Sequence, residues 1–403
     1  MPIKIPNALP AATQLQAENI FVMTEKRATT QHIRPLRLII LNLMPLKIDT
    51  ETQILRKLSN PPLQIEVQFM HTASHSSHNT PAEHLRTFYT TFEDVRDDHF
   101  DGMIITGAPV EKLPFEDVDY WPELCEILEW TKTHVHSCLS ICWGAQAALY
   151  YHYGINKHPL GKKLTGIFEH RVVKPTSPLV RGFDSVFMAP HSRNTGVYVQ
   201  EIDRHPDVEN ICISDEAGAY LAKSHDNRNF FVFGHSEYDF DTLAKEYARD
   251  LEKMGDAAPF PVHYFPDDNP NREPQKTWNA HGQLLFSNWL NYYVYQTTPF
   301  DFSQVGVLHA GLAEVTTDVG SFTVTAEGPD QVGVLGVLAT ALADLGVAID
   351  TISQDIHDGR FHIQIEAHVA TNDSSMEDIK EALAQLGSTS GFEVNAFYPD
   401  NAK

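Results

Sequence analysis

The strongest limit on what this chain can fold into is a rhythm of short apolar runs, each followed by an amphipathic stretch. RLIILNLM (37–44) is nearly all apolar and reads as a strand buried on both faces. DTETQILRKLSN (49–60) reads as a helix with Asp49 or Thr50 as its cap. LQIEVQFM (63–70) is the next strand, and TPAEHLRTFYTTFEDV (80–95) is a helix with Pro81 near its first position. FDGMIITGAP (100–109) is a strand that ends in a glycine-containing loop, WPELCEILEWTKTH (121–134) is a helix, and HSCLSIC (136–142) is a strand. Beyond residue 155, short strands alternate with loops. NFFVFGH (229–235) reads as a buried strand, and DFDTLAKEYARDLEKM (239–254) and GQLLFSNWLNYYVYQTT (282–298) read as helices. This alternation predicts an α/β fold: a doubly wound, mostly parallel sheet with helices on both faces. In such sheets ligands bind beyond the carboxyl ends of the strands.

A chain of 403 residues exceeds one ordinary domain. Residues 1–35 look irregular, with prolines at 2, 6, 10 and 35. Composition changes near residue 300, which predicts a first domain over 1–300, a linker over 301–318 and a small domain over 319–403. The last segment reads β-α-β-β-α-β, a ferredoxin-like order. The net charge of -23, from 53 acidic and 30 basic residues, argues against nucleic acid or an anionic membrane as the main partner. Cys125, Cys138, Cys142 and Cys212 have no paired spacing, so neither a disulfide framework nor a zinc site is expected. No apolar signal core opens the chain and no stretch is long enough to span a bilayer, which predicts a reduced, cytoplasmic setting. His71, His75 and His78 have metal-like density, but they fall in a loop with no carboxylate near in sequence, and no metal site is expected. No glycine-rich dinucleotide fingerprint follows a strand.

The segment CLSICWGAQAAL (138–149) raises the chemical question. An apolar run delivers Cys142 to a turn, Gly144 follows two residues later, and small helix formers begin. A strand-to-helix turn projects its central side chain into the crevice. The free N–H groups behind it, with Trp143 first, favour a thiolate and can hold a developing oxyanion. Ser140–Ile141–Cys142–Trp143–Gly144 has the chemistry of a nucleophile elbow with cysteine in place of serine. A thiol nucleophile needs a base, and the base needs an orienting group. FVFGHSEYD (231–239) puts His235 just past a buried strand with Glu237 two residues on. Alternation along an extended segment would turn both side chains to one side. Taken singly, each residue also reads as structural: a buried cysteine, a satisfied histidine, a solvated glutamate.

SICWGAQAALYYHYG with GHSEYD resembles the class I glutamine amidotransferase-like fold, and is more similar to one branch of it, the homoserine O-acyltransferases of methionine biosynthesis. LNLMPLKIDTETQ (41–53), NTPAEHLRTFYTTFEDV (79–95), FDGMIITGAPVE (100–111), LPFEDVDYW (113–121), GIFEHRV (166–172), APHSRNT (189–195) and LLFSNWLNYYVYQTTP (284–299) carry the resemblance over roughly residues 1–300. It implies double displacement: Cys142 takes an acyl group from acyl-CoA as a thioester and passes it to the homoserine hydroxyl, with His235 as proton acceptor and Glu237 completing the triad. Lys163, Ser192 and Arg249 fall at the family's substrate-contact positions. Arg249 suits a carboxylate through a bidentate pair, and otherwise reads as an exposed helix cation beside Glu246. Ser236 departs from the proline usual between His and Glu. In the family, the loop after TGAP lines the acyl pocket, with glycine accompanying succinyl-CoA and glutamate acetyl-CoA. Glu111 therefore implies acetyl transfer, since a carboxylate narrows the pocket and repels a succinyl carboxylate. Acetyl-CoA is then a co-substrate, with succinyl-CoA the alternative donor, and no bound cofactor is implied.

VTAEGPDQVGVLGVLATALADLGVAIDTISQDIHDGRFHIQIEAHV (324–369) resembles an ACT domain, a βαββαβ module that often binds amino acids and pairs sheet to sheet. The ordinary acyltransferase family lacks this segment. The resemblance implies an amino-acid effector held near Gly328–Gly333, or a dimerisation module without a ligand, in a homodimer. Two other functional classes stay open. A glutaminase subunit shares Cys–His–Glu but needs a synthetase partner. A regulatory protein that has lost catalysis is the other, and the intact Cys142, His235 and Glu237 argue against it.

Overall fold

The computed structural model describes residues 35–75, 79–298, 322–329, 333–345, 347–357, 359–369 and 376–397, with Ile3–Lys4, Pro10, Gln14 and Val22–Met23. The expected linker, 301–318, and His78 lie outside the described residues. The chain divides into two compact units, Met1–Ala310 and Gly311–Lys403.

In the first unit, strands β1 (Ile3–Lys4), β2 (Val22–Met23), β3 (Leu36–Leu41), β4 (Ile65–Met70), β5 (Tyr89–Thr90), β6 (Phe100–Ile105), β7 (Val135–Ile141), β8 (His158–Val172), β9 (Val186–Gly196), β10 (Val208–Ser214), β11 (Gly218–Ser224) and β12 (Asn229–Val232) form one sheet. Its order is β2-β1-β4-β3-β6-β7-β12-β11-β10-β8-β9, with β5 beside β4. Every pair from β2 to β12 is parallel. Beyond β12 the pairs are antiparallel. The sheet is mostly parallel and doubly wound in the half that carries Cys142, and hairpins extend the other half.

The continuous apolar runs serve both faces at once. Leu38 and Ile40 of β3 join one core, and Ile39 and Leu41 join the other. Helix α1 (Lys47–Leu58) covers the first face with Ile54, Leu55 and Leu58. The predicted helix over 80–95 is broken into α2 (Ala82–Phe88) and α3 (Phe92–Val95), with β5 between them. Two features divide it: the Tyr89 hydroxyl donates to the buried Glu51 carboxylate at 2.7 Å, and Thr91 and Asp94 form a capping box that restarts the helix. Helices α4 (Trp121–His134) and α5 (Trp143–Tyr153) cover the second face through Leu124, Ile127, Leu128, Ala145, Ala148 and Leu149. After α6 (Val199–Arg204) and α7 (Thr242–Met254), helix α8 (Asn279–Asn288) runs into a π-helical stretch, Trp289–Tyr295. Trp289 is fully buried against the first face, and its indole donates to Ser137 Oγ at 2.9 Å.

In the second unit, β13 (Phe322–Pro329), α9 (Val334–Asp344), β14 (Val347–His357), β15 (Arg360–Val369), α10 (Met376–Ser390) and β16 (Glu393–Phe397) form an antiparallel sheet of order β14-β15-β13-β16 with two helices. Val324, Leu338, Ile363, Ile365, Ile379 and Leu383 give it a core of its own. Residues 330–332 of the expected ligand loop lie outside the described residues, while Gly333, with φ +93°, opens α9. A cavity of about 540 Å³ lies nearby, lined by Gly328, Arg360, Ser388 and Phe392 among others. No described helix is long and apolar enough to cross a membrane.

Separate cores make separate folding units. A chain ending at residue 310 is expected to unfold in one cooperative transition followed by tryptophan fluorescence. A truncated chain without a cooperative transition would contradict this.

Candidate active site

Strand β7 is buried along its whole length and lies between β6 and β12, so its carboxyl end opens at the centre of the sheet. Cys142 follows with φ 52° and ψ −114°, a conformation that L-residues rarely adopt. Its N–H donates to the Val232 carbonyl at 2.7 Å, and its carbonyl accepts from the Gln146 N–H at 3.1 Å. The residue thus closes the strand ladder and opens α5 in one step, which aims the thiol out of the sheet. Trp143 is the first residue of α5, so its N–H has no intrahelical acceptor. Two glycines allow the close approach. A methyl group on Gly144 would lie 2.5 Å from the Thr106 carbonyl oxygen. One on Gly107 would lie 3.2 Å from Cys142 Cβ and 3.6 Å from His235 Cε1, so Gly107 leaves room beside the thiol.

His235 arrives from β12, the other neighbour of β7. Its N–H donates to the Pro190 carbonyl at 2.8 Å, its Nδ1 bonds Glu237 Oε1 at 2.7 Å, and its ring also hydrogen-bonds the Cys142 side chain. All three residues are buried. The route to this contact differs from the extended alternation expected from the sequence. β12 stops at Val232, and the Tyr238 N–H donates to the His235 carbonyl, so a turn brings Glu237 back to the imidazole. The Tyr238 ring stacks on His235 at 4.1 Å between centroids. Ser236, at the position where the resemblance expects proline, is buried, and its hydroxyl bonds the Tyr220 hydroxyl. That bond ties the turn to β11 and takes over the stiffening a proline would give.

Burial disfavours the imidazolium, but the charges on Cys142 and Glu237, with the hydrogen bonds to both, outweigh it and hold His235 well above the usual histidine range. The neighbouring His191 is held well below that range, by burial first and then by Arg193, His170 and His235. Arg193 is itself buried and donates to the Thr195 carbonyl at 2.7 Å and to the Ala217 carbonyl. Burial pushes it down to about 10, and the charge of Cys142 pulls it up. The sequence gives Arg193 no role, because nothing in its spacing reveals that the fold carries it to the Ala217 carbonyl and within the influence of Cys142.

Cys142 and His235 open into a cleft of about 2430 Å³. Lys163, Ser192, Glu246, Arg249 and Asp250 line one part of it. Lys163 Nζ is 2.9 Å from Asp250 Oδ2 and 3.7 Å from Glu246 Oε2. The Ser192 hydroxyl donates to Glu246 Oε2, and the Tyr238 hydroxyl donates to Glu246 Oε1 at 2.9 Å. Arg249 is half exposed on α7 and pairs with Asp250 at 3.0 Å. Burial raises the Asp250 carboxyl, but Lys163 and Arg249 more than reverse this and leave it below the usual range. Elsewhere in the cleft, Glu111 Oε1 accepts from Asn194 Nδ2 at 2.6 Å, which fixes its carboxylate. Glu246, Tyr238 and Asp250 were not singled out from the sequence; only the fold brings them beside Lys163 and Ser192. Among the described residues no group of three or more His, Cys, Asp or Glu is arranged to hold a metal ion, and His75 instead bonds Asp119 at 2.7 Å.

A family model described as homoserine O-succinyltransferase matches residues 2–300. The chain belongs to this family. Similar curated proteins are named homoserine O-acetyltransferase. That of Catenibacterium mitsuokai is 57% identical over 307 residues, which cover 76% of this chain and 98% of the relative. That of Acetivibrio thermocellus is 55% identical over 305 residues, which cover 76% of this chain and 100% of the relative. An ACT-domain model matches residues 321–396. A solved glutamine amidotransferase from Thermotoga maritima aligns at 14% identity with a TM-score of 0.41, covering 64% of this chain and 98% of that one.

The close packing of Gly144 on β6 generates a prediction. Gly144→Ala is expected to destabilise the first unit by about 1–3 kcal/mol, the usual cost of overpacking a rigid contact. Urea denaturation measures it, and a parental midpoint in the variant would show that the elbow tolerates the methyl group.

Proposed function

We propose that this chain transfers an acetyl group from acetyl-CoA to the hydroxyl of L-homoserine, giving O-acetyl-L-homoserine for methionine biosynthesis. The observation that carries the reading is the hydrogen-bonded run Cys142–His235–Glu237 at the mouth of a cleft rich in paired acids and bases. Membership of the homoserine O-succinyltransferase family and relatives named homoserine O-acetyltransferase support it.

His235 takes the thiol proton, and the Cys142 thiolate attacks the thioester carbonyl of acetyl-CoA. The oxyanion that forms is held by the Trp143 N–H at the start of α5. The intermediate collapses to an acetyl-cysteine, and the leaving CoA thiolate takes the proton from the imidazolium. Homoserine then enters, and His235 removes its hydroxyl proton. The alkoxide oxygen attacks the acetyl-cysteine, and the Cys142 thiolate leaves and recovers its proton. Glu237 holds the imidazole in one tautomer and stabilises its protonated form in both halves. Arg249 and Lys163 receive the homoserine carboxylate, and Glu246, bridged to Ser192, accepts from its ammonium. CoA carries phosphates, and Lys112, Lys157 and Lys162 line the same cleft as cations suited to them.

The donor turns on Glu111. Its bond to Asn194 keeps the carboxylate from swinging aside, so a succinyl tail would meet a fixed negative charge. An amino acid is the proposed effector of the second unit, with Arg360 at the cavity as the group suited to its carboxylate. The four free cysteines suit a reducing cytoplasm.

Two substitutions test the reading. Cys142→Ser is expected to fold and to lose at least about a thousandfold in kcat for acetyl transfer, because a serine hydroxyl does not ionise beside His235. A folded variant with near-parental turnover would exclude the covalent route. Glu111→Gly is expected to move the ratio of kcat/KM values toward succinyl-CoA by about tenfold or more. An unchanged ratio would mean that Glu111 does not select the donor.

A further inference from the structure

Lys57 is among the most deeply buried charged side chains of the first unit, at 1% exposure, and it does not line the cleft. It sits in the last turn of α1, and its Nζ donates to Asn279 Oδ1 of α8 at 3.1 Å. A methyl group on Gly282 would lie 3.2 Å from Lys57 Nζ and 2.8 Å from the Ser236 carbonyl oxygen. The ammonium therefore shares one small space with the backbone that joins His235 to Glu237. The charged groups that face it are Glu237 and Asp239 from that turn, Lys276 from the segment before α8, and Arg56 on α1. Asp239 is already engaged by Arg56 at 2.5 Å and lies 3.8 Å from Lys276.

Glu237 has the complementary deficit. Its Oε1 is taken by His235, while Oε2 is buried and has no hydrogen-bond partner among the described residues.

We infer that Lys57 is a positioning residue: its buried ammonium, set behind the turn that joins His235 to Glu237, braces that turn and so keeps His235 oriented toward Cys142. The inference rests on the reading of Cys142, His235 and Glu237 as an acyl-transfer set. Its cost is visible in the lysine itself. Burial, then Lys276, lowers it, Glu237 raises it, Arg56 lowers it and Asp239 raises it, and the balance leaves Lys57 at about 7. A lysine lowered in this way carries a folding penalty. The penalty is complete below pH 7, where the buried group is charged. It fades as pH rises toward 10.5, the value for a free lysine, because the folded chain has then released the proton that the unfolded chain keeps. A residue that merely filled this seam would serve better as methionine or leucine.

The test uses the full chain carrying Lys57→Met or Lys57→Arg. Thermal unfolding is recorded from pH 6 to pH 9 beside the pH profile of kcat/KM for homoserine at saturating acetyl-CoA. Lys57→Met is expected to melt at or above the parental Tm, with the largest gain below about pH 7. It should nonetheless lose about tenfold in kcat/KM at pH 7, mostly through kcat, with the acid limb moved to higher pH. Lys57→Arg, which keeps the charge, should keep the parental acid limb. A folded Lys57→Met enzyme with parental kcat/KM and an unmoved limb would overturn the inference. So would a loss of activity that only tracks a fall in Tm. A parental chain that transfers no acyl group from any donor would overturn the function reading itself, and this inference with it.

Discussion

The backbone of Cys142 is the constraint on which the rest depends. A non-glycine residue at φ 52° and ψ −114° is held there at an expense of about 1–3 kcal/mol. It persists because both flanking strands hold it: the Val232 carbonyl of β12 takes its N–H, and the carbonyl of Thr106, just past β6, packs against Gly144. Those two strands also deliver the other parts. The residues after β6 supply Gly107 and Glu111, and those after β12 supply His235 and Glu237. Three adjacent parallel strands thus end at one point, and the candidate chemistry is a property of that coincidence.

Charge is handled differently in the cleft and behind it. The chain carries a net charge of -23, yet the cleft is lined by Lys163, Arg249, Lys112, Lys157 and Lys162 as well as by acids. Lys163 and Arg249 converge on Asp250, and Ser192 and Tyr238 converge on Glu246. An incoming amino acid, with one charge of each sign, can exchange partners with such pairs without leaving a charge bare. Behind the cleft the groups are more deeply desolvated. Arg193 and Lys57 are buried there, and negative charge on Cys142 favours the charged form of the first as that on Glu237 favours the charged form of the second.

Much of this was legible in the sequence, for physical reasons. The apolar run of β3 reported burial on both faces because its alternate residues enter two cores. Cys142 followed by Gly144 reported the elbow, since only a strand-to-helix turn in close contact with its neighbour needs that pair. The two-residue spacing of His235 and Glu237 indicated a contact, but for the wrong geometric reason: a turn makes it. Arg249 pairs with Asp250, the next residue on α7, and Lys163 of β8 engages the same carboxylate, a convergence that helix spacing does not report. Arg193, Glu246 and Lys57 stayed silent, since each is held by at least one partner remote in sequence: Ala217 for Arg193, Ser192 for Glu246 and Asn279 for Lys57. The break at Tyr89 was hidden as well, because its cause is a hydrogen bond to Glu51, 38 residues earlier.

The central claim is that the acetyl group rests on Cys142 between two half-reactions. Intact-protein and peptide mass spectrometry, on enzyme mixed with acetyl-CoA in the absence of homoserine, tests it most directly. The account predicts one added acetyl group, mapped to the peptide that contains Cys142, which disappears when homoserine is added and reappears as O-acetylhomoserine. An unmodified cysteine while homoserine is still acetylated at full rate would contradict it.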